Sequence, residues 1–330
     1  MRRLKTIAVA AVLSLGLAAC GGGNNAPSDT GGATGSTEGG GGEQTIYLVS
    51  KGFQHRFWQA VKEGAEEAGK EFGYKVEFVG PANEQAITEQ LDQLKTALNT
   101  KPAALGFAAL DSKAAAPLLE EAKNANIPVV AFDSGVESDI PVTTVQTDNK
   151  AAAAEAAKQL AELLGNKGKV GLVCHDQTSQ TGKDRCFGFK EWMEQNAPDI
   201  EVIQEQYAGE VGKAADVTKA ILSSNSDITG MYGTNEAAAI GVVQGVKESG
   251  NVGKVTVVGF DSGKPQLDAI KDGSMAGAIT QSPVKIGYET VKAAIAAIKG
   301  ESLEPVIDSG FAWYTKDNMD SDEIKPNLYE

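Results

Sequence analysis

The sequence predicts an α/β fold built from two doubly wound parallel-sheet lobes. Short apolar runs alternate with segments whose apolar residues recur every three or four positions, the signatures of strand and helix. The alternation runs through the chain twice, and such a rhythm gives parallel sheets covered by helices on both faces. Beyond residue 44 about 285 residues remain, long for one core and comfortable for two lobes.

Ile46 to Ser50 reads as the first buried strand. Trp58, Val61, Ala65, Ala68 and Phe72 then mark one helix face, ended by Gly73. Lys75 to Val79 is the second strand, Ile87, Leu91, Leu94 and Leu98 a second helix, and Ala103 to Ala109 a third strand. A helix over 114–125 leads to the strand Ile127–Phe132, which closes at Asp133. The rhythm restarts with an alanine-rich helix over 149–164 and a strand over 169–174. After it come a helix over 187–196, a strand over 201–207, a helix over 214–223 and a strand over 228–232. A helix over 236–249, a strand over 255–260, a helix beginning at 265 and a strand over 276–280 complete the series.

Ligands of open parallel sheets bind beyond the carboxyl ends of the strands. The polar residues just after each predicted strand are therefore the candidates: Ser50 and Lys51, Asp111, Asp133 and Ser134, His175 and Asp176, Asn235, Asp261 and Ser262, and Gln281. Singly, each is as readily a helix cap or turn residue. Together they place carboxylates and amides along one edge of the sheets.

The first 44 residues carry an address. Arg2, Arg3 and Lys5 form a cationic start, Ile7 to Leu17 an apolar run, and Leu17-Ala18-Ala19-Cys20 closes it. That is the layout of a secretory signal peptide over 1–19, too short for a span of about 20 apolar residues. The cysteine after Leu-Ala-Ala resembles the bacterial lipoprotein box, in which Cys20 is acylated and becomes the new N-terminus. Residues 20–44, rich in Gly, Ser, Thr and Asn, are expected to be a flexible tether reaching about 25–30 Å.

Loss of Arg2, Arg3 and Lys5 takes the formal charge of −14 to −17, a balance that argues against nucleic-acid binding. With Cys20 lipidated, Cys174 and Cys186 remain. An exported setting permits a disulfide between them, provided their Cα atoms approach within about 7 Å; two free thiols are the alternative.

Several segments then match one family. Ser50-Lys51-Gly52-Phe53, with Phe57-Trp58 opening a helix, resembles the first strand and helix of ribose-type periplasmic sugar-binding proteins. Ile127-Pro128-Val129-Val130-Ala131-Phe132-Asp133 resembles their strand ending in a ligand carboxylate, and Thr147-Asp148-Asn149 their first crossing between lobes. Thr234-Asn235-Glu236, Val258-Gly259-Phe260-Asp261 and Ala278-Ile279-Thr280-Gln281 match three more segments in the family's order.

The resemblance implies a type I periplasmic-binding-protein fold: two lobes joined by three crossover segments and closing like a hinged clam. The first lobe is expected over 45–147 and 282–309, the second over 148–281 and 310–330. Asn235, Asp261 and Gln281 would bond ligand hydroxyls from the hinge and second lobe, and Ser50 and Asp133 from the first. Phe57 and Trp58 would cover a sugar face, although Trp58 also begins a core stripe. Ala108 and Ser134 stand where ribose binders carry Asn and Arg, Lys183 or Arg185 replaces an arginine contact, and Glu210 stands in place of an aromatic. With Lys51 and His55, these departures suggest a different hydroxyl pattern or a charged ligand; for Lys51 and Glu210 an exposed rim is the alternative.

The implied function is capture of a sugar-like solute for the permease of an ABC importer. The protein would be held outside the cell membrane by lipid on Cys20, as a monomer. Presentation of the ligand to a membrane kinase or chemoreceptor is the second reading. No cofactor or metal is implied: Asp317 to Glu323 resembles a calcium loop only loosely, since Met319 stands where oxygen is needed. No Gly-x-Ser-x-Gly, phosphate loop or zinc-ligand spacing points to an enzyme. Cys174 and His175, adjacent on a strand, would face opposite sides.

Overall fold

Strand β1 (Thr45–Val49) enters a buried sheet directly, and the computed structural model describes residues 44–53 and 55–329. The cationic start, Cys20 and the Gly-rich stretch up to residue 43 lie outside the described residues. The chain continues through α1 (Arg56–Phe72), β2 (Lys75–Val79), α2 (Ile87–Asn99), β3 (Ala104–Phe107), α3 (Ala116–Asn124), β4 (Val129–Phe132) and β5 (Thr143–Gln146). The second run is α4 (Asn149–Leu163), β6 (Gly168–Cys174), α5 (Gln180–Asn196), β7 (Ile200–Val202), β8 (Gln206–Tyr207), α6 (Val211–Ser224) and β9 (Gly230–Gly233). It goes on through α7 (Glu236–Glu248), β10 (Thr256–Phe260), α8 (Lys264–Asp272) and β11 (Gly277–Gln281). Then come α9 (Pro283–Ile298), β12 (Val306–Asp308), β13 (Phe311–Tyr314) and a 3-10 turn at Lys325–Asn327.

Two sheets result. One has the order β12-β5-β4-β3-β1-β2 with all neighbours parallel. The other runs β13-β11-β10-β9-β6-β7, parallel except for β13 against β11, with β8 following β7 along β6. The chain changes sheets after β5, after β11 and between β12 and β13. One residue from each crossing meets at the hinge: Thr147 Oγ1 donates to Gln281 Oε1 at 2.9 Å and lies 3.2 Å from Ser309 Oγ.

Each sheet is covered on both faces. Against the first, α1 and α9 bury Trp58, Val61, Ile286 and Val291, while α2 and α3 bury Leu94, Leu98 and Leu119. Against the second, α4 and α5 bury Leu160 and Phe189, and α6 and α7 bury Ile221 and Val242. Each large apolar side chain so buried is worth about 1.5–3 kcal/mol, which is what selects these helix faces. The crossing of α1 and α9 requires glycine: a Cβ at Gly64 would collide with Val284 O, and one at Gly287 with Val61 O.

Helix α5 begins at Gln180, seven residues before the periodicity suggests. Ser179 caps it by accepting from Gly182 N at 3.0 Å. Its first two turns bury the polar Thr181 and Arg185 and, of apolar side chains, Cys186 alone, so no hydrophobic stripe announces them. The strand expected over 201–207 is two pieces, both paired with β6 but interrupted at 203–205. The helix expected from 114 starts at Ala116, because Asp111 Oδ1 accepts from Lys113 N and Ala114 N and holds a turn there. Cys174 and Cys186 form a disulfide with Cα atoms 5.7 Å apart, joining the end of β6 to α5. In the acidic segment 317–323, Met319 is buried in the second lobe's core.

Candidate functional site

Where β1, β4, β6, β10 and β11 end, the two lobes enclose a small polar cavity. Its lining comes from both sides: Lys51, His55, Phe57, Trp58, Glu84 and Asp133 from the first lobe, and His175, Arg185, Asn235, Asp261 and Gln281 from the second and the hinge. The lobes are closed on each other. Lys51 Nζ donates across the cleft to Thr181 Oγ1 at 3.0 Å, Ser112 N to Thr178 O at 3.1 Å, and Thr178 Oγ1 to Leu110 O at 2.9 Å.

The second-lobe half is a connected network. Gln281 Nε2 donates to Asp261 Oδ1 at 2.6 Å, and Glu236 N to Asp261 Oδ2 at 2.9 Å. Arg185 lies over the Phe260 ring at 3.8 Å, donates from Nε to Asn149 Oδ1 at 2.7 Å, and approaches Asp261 Oδ2 at 3.7 Å. Asn235 caps α7 through Ala238 N at 2.9 Å. Its Oδ1 is thus occupied, while its amide nitrogen has donors to offer a ligand.

In the first lobe, Glu84 is the organiser. Its Oε1 accepts from Trp58 Nε1 at 2.9 Å, and its Oε2 lies 3.9 Å from Lys51 Nζ and 4.0 Å from His55 Nε2. Burial alone would raise this carboxyl, but Lys51 and His55 outweigh it and hold it at about 2. Asp133 goes the other way: burial raises it to about 6 against the pull of Lys51 and Arg185. Burial also pushes His175 down to about 3, so at neutral pH it is an uncharged ring with Nδ1 2.8 Å from Thr234 Oγ1. Glu236, buried beside Asp261 and Glu84, is raised to about 8; its Oε1 lies 3.9 Å from His55 Nδ1 across the cleft.

Of the residues singled out from the sequence, Lys51, His55, Phe57, Trp58, Asp133, Arg185, Asn235, Asp261 and Gln281 converge on the cavity. Three do not. Ser50 Oγ lies 3.1 Å from Val79 O and backs the end of β1. Lys183 sits at the rim, where its Nζ donates to Ser112 Oγ at 2.8 Å and Glu137 Oε1 at 3.0 Å of the opposite lobe. Glu210 is exposed and pairs with Lys213 at 3.0 Å, because its position one residue before α6 turns it to solvent. Trp58 serves both roles considered for it, packing 6.2 Å from Phe132 in the core while lining the cavity. His175, one of the strand-end candidates, lines the cavity as well, and Glu84 completes the lining without having been singled out. Glu84 follows β2 at its carboxyl end, so the same edge rule applied to that loop finds it.

The arrangement can bind a small polar solute. Carboxylates at Asp133 and Asp261 accept from hydroxyls, Lys51, Arg185, Asn235 and Gln281 can donate, and charge-assisted bonds of this kind are the stronger ones. Phe57 and Trp58, edge to face at 5.0 Å, supply flat apolar surface.

A family model described as periplasmic binding protein domain matches residues 46–302. The chain is 30% identical over 270 residues to the ribose import binding protein of Haemophilus influenzae, covering 80% of this chain and 89% of that one. It is 26% identical over 320 residues to the xylitol-binding protein of Mycolicibacterium smegmatis, covering 96% and 87%. An ABC transporter solute-binding protein from Agrobacterium vitis, solved with bound D-fucose, superposes with a TM-score of 0.83 at 31% identity, over 86% of this chain and all of that one. A match of that extent, with the two sheets, three crossings and enclosed polar cavity, makes the chain a member of the periplasmic binding protein family.

Proposed function

We propose that this protein captures a monosaccharide or sugar alcohol by hinged closure and delivers it to the permease of an ABC importer. The observation that carries the reading is the cavity itself. Two aspartates at strand ends, one in each lobe, face a small buried space walled by Trp58 and Phe57 and by the donors Lys51, Arg185, Asn235 and Gln281. Such a site matches a ring with a hydroxyl at most carbons, and every buried polar group left unpaired by the wrong ligand costs about 1–3 kcal/mol. Relatives named for ribose and xylitol, and a neighbour holding D-fucose, support the same class. The reading is of binding without chemistry.

Residues 1–19 would direct export and Cys20 would carry the lipid that keeps the receptor at the membrane. Cys20→Ser should move the protein from the membrane fraction to the soluble one.

The ligand class is tested by thermal-shift screening of the mature domain against pentoses, hexoses, sugar alcohols, amino sugars and amino acids. A ligand at a hundredfold excess over its Kd adds about 2.7 kcal/mol to the folded state, so a binder is visible as a raised Tm. A shift with amino acids and none with any polyhydroxylated compound would sink the reading.

A further inference from the structure

The tetrapeptide Phe-Asp-Ser-Gly occurs twice, at 132–135 after β4 and at 260–263 after β10. Each copy carries one of the cavity aspartates, each with a positive φ, 56° at Asp133 and 77° at Asp261. Non-glycine residues pay for that conformation unless their surroundings hold it. The two copies are held differently. In the first lobe Ser134 Oγ is buried and has no hydrogen-bond partner among the described residues. In the second, Ser262 Oγ lies 2.8 Å from Thr280 Oγ1 and 3.2 Å from Asn327 O, and Thr280 Oγ1 donates to Asn327 O at 2.8 Å.

The difference comes from the segment Lys325–Tyr329, which bonds the second copy and has no counterpart on the first among the described residues. Tyr314 Oη donates to Asp261 O at 2.9 Å, and Tyr329 Oη accepts from Ser262 N at 3.2 Å. Those two backbone atoms belong to one peptide unit, so two tyrosines grip both ends of the plane that fixes the direction of the Asp261 side chain. Tyr314 belongs to the second lobe's core, whereas the Tyr329 ring is buried in the first lobe's core, 6.1 Å from the cavity residue Phe57. The segment is therefore a fourth link between the lobes, and it ends on a ligand-facing residue in each.

We propose that Tyr329 is a positioning residue for the binding site: anchored behind Phe57 in the first lobe, it holds the Asp261–Ser262 peptide in the second and so ties the aim of Asp261 to lobe closure. The effect on ligand affinity rests on the sugar-binding reading; the effect on the peptide does not.

The test is Tyr329→Phe in the full chain, which keeps the ring against Phe57 and removes only the hydroxyl, with Tyr314→Phe as the comparison. Hydrogen–deuterium exchange of the ligand-free protein is read at the Ser262 amide and, as an internal control, over 129–136. Affinity is read by calorimetry with whichever of D-ribose, D-allose, D-fucose or xylitol binds the wild type. Loss of one neutral hydrogen bond predicts roughly fivefold faster exchange at Ser262 and roughly fivefold weaker binding, with 129–136 unchanged. Unchanged exchange at Ser262 would overturn the proposal, and so would weaker binding with exchange unchanged, since the segment would then act through Phe57 packing alone. If the wild type binds none of the four, the sugar reading is at fault, and the exchange comparison still decides the role of Tyr329.

Discussion

Asp133 and Asp261 face each other's lobes from equivalent ends of β4 and β10, each in a left-handed backbone conformation, with φ of 56° and 77°. A left-handed residue turns its side chain out of the strand direction and into the cleft, which a residue continuing the β conformation would not do. Asp is among the few side chains that tolerate this geometry. Replacing either by Asn should weaken ligand binding tenfold or more, because a bond to a charged acceptor is worth about 1.5–3 kcal/mol. In the ligand-free protein, Asp133→Gly should be more stable than Asp133→Ala by about 1 kcal/mol, measured by urea unfolding. Equal stability of the two would mean that the backbone there is not strained.

Glu236 supplies a pH dependence whose sign is definite. Its folded value of about 8 lies above the ordinary 4.5, so the folded state binds the proton more tightly. Its contribution to stability is present at low pH and is lost as pH rises from about 4.5 through 8. Glu236→Gln removes that loss. The variant should match the wild type near pH 5 and exceed it by a few kcal/mol near pH 9, read as a gap in Tm that widens with pH. Glu84 acts oppositely: held at about 2, it contributes stability above its ordinary 4.5 that disappears as pH falls toward 2.

Lys183 at the rim donates to Ser112 and Glu137 of the opposite lobe, bonds that exist only when the lobes are closed. Lys183→Met should leave the association rate nearly unchanged and speed ligand release by about two- to fivefold, the range of partly exposed ion pairs. The effect should shrink in high salt, because such pairs are screened. Stopped-flow release at two ionic strengths measures it; an identical release rate in the variant would rule out a latch.

The disulfide between Cys174 and Cys186 closes a separation of 12 residues and ties β6 to α5, on which Arg185 rides. Its reduction should cost about 3 kcal/mol, as expected for a loop of that size. Arg185 neighbours Cys186, so the reduced protein should also bind its ligand less tightly. Unfolding and calorimetry with and without reductant check both.

The alternation of apolar runs made most of the parallel-sheet elements and their order legible, because strand and helix burial impose periods of two and 3.6 on adjacent residues. Strand ends told which polar residues to weigh, and ten of the eleven cavity residues were found from the sequence and the family likeness. The periods failed where burial is polar. The first two turns of α5 face the cleft with Thr181 and Arg185, and so carry no apolar stripe. Glu84 lies in a loop with no periodicity at all.

The chain's local chemistry by itself determined the two-lobed α/β architecture and the two Phe-Asp-Ser-Gly turns, since these depend on neighbours in sequence. Tertiary structure alone decided which charges meet. Lys51 found Glu84 and Thr181, Lys183 and Glu210 were kept out of the cavity, and Tyr329 crossed from one lobe's core to the other's turn. Those pairings span up to 130 residues. Those between lobes, Lys51 with Thr181, Lys183 with Glu137 and Tyr329 with Ser262, are set by the distance between lobes at closure, a quantity that no local period records.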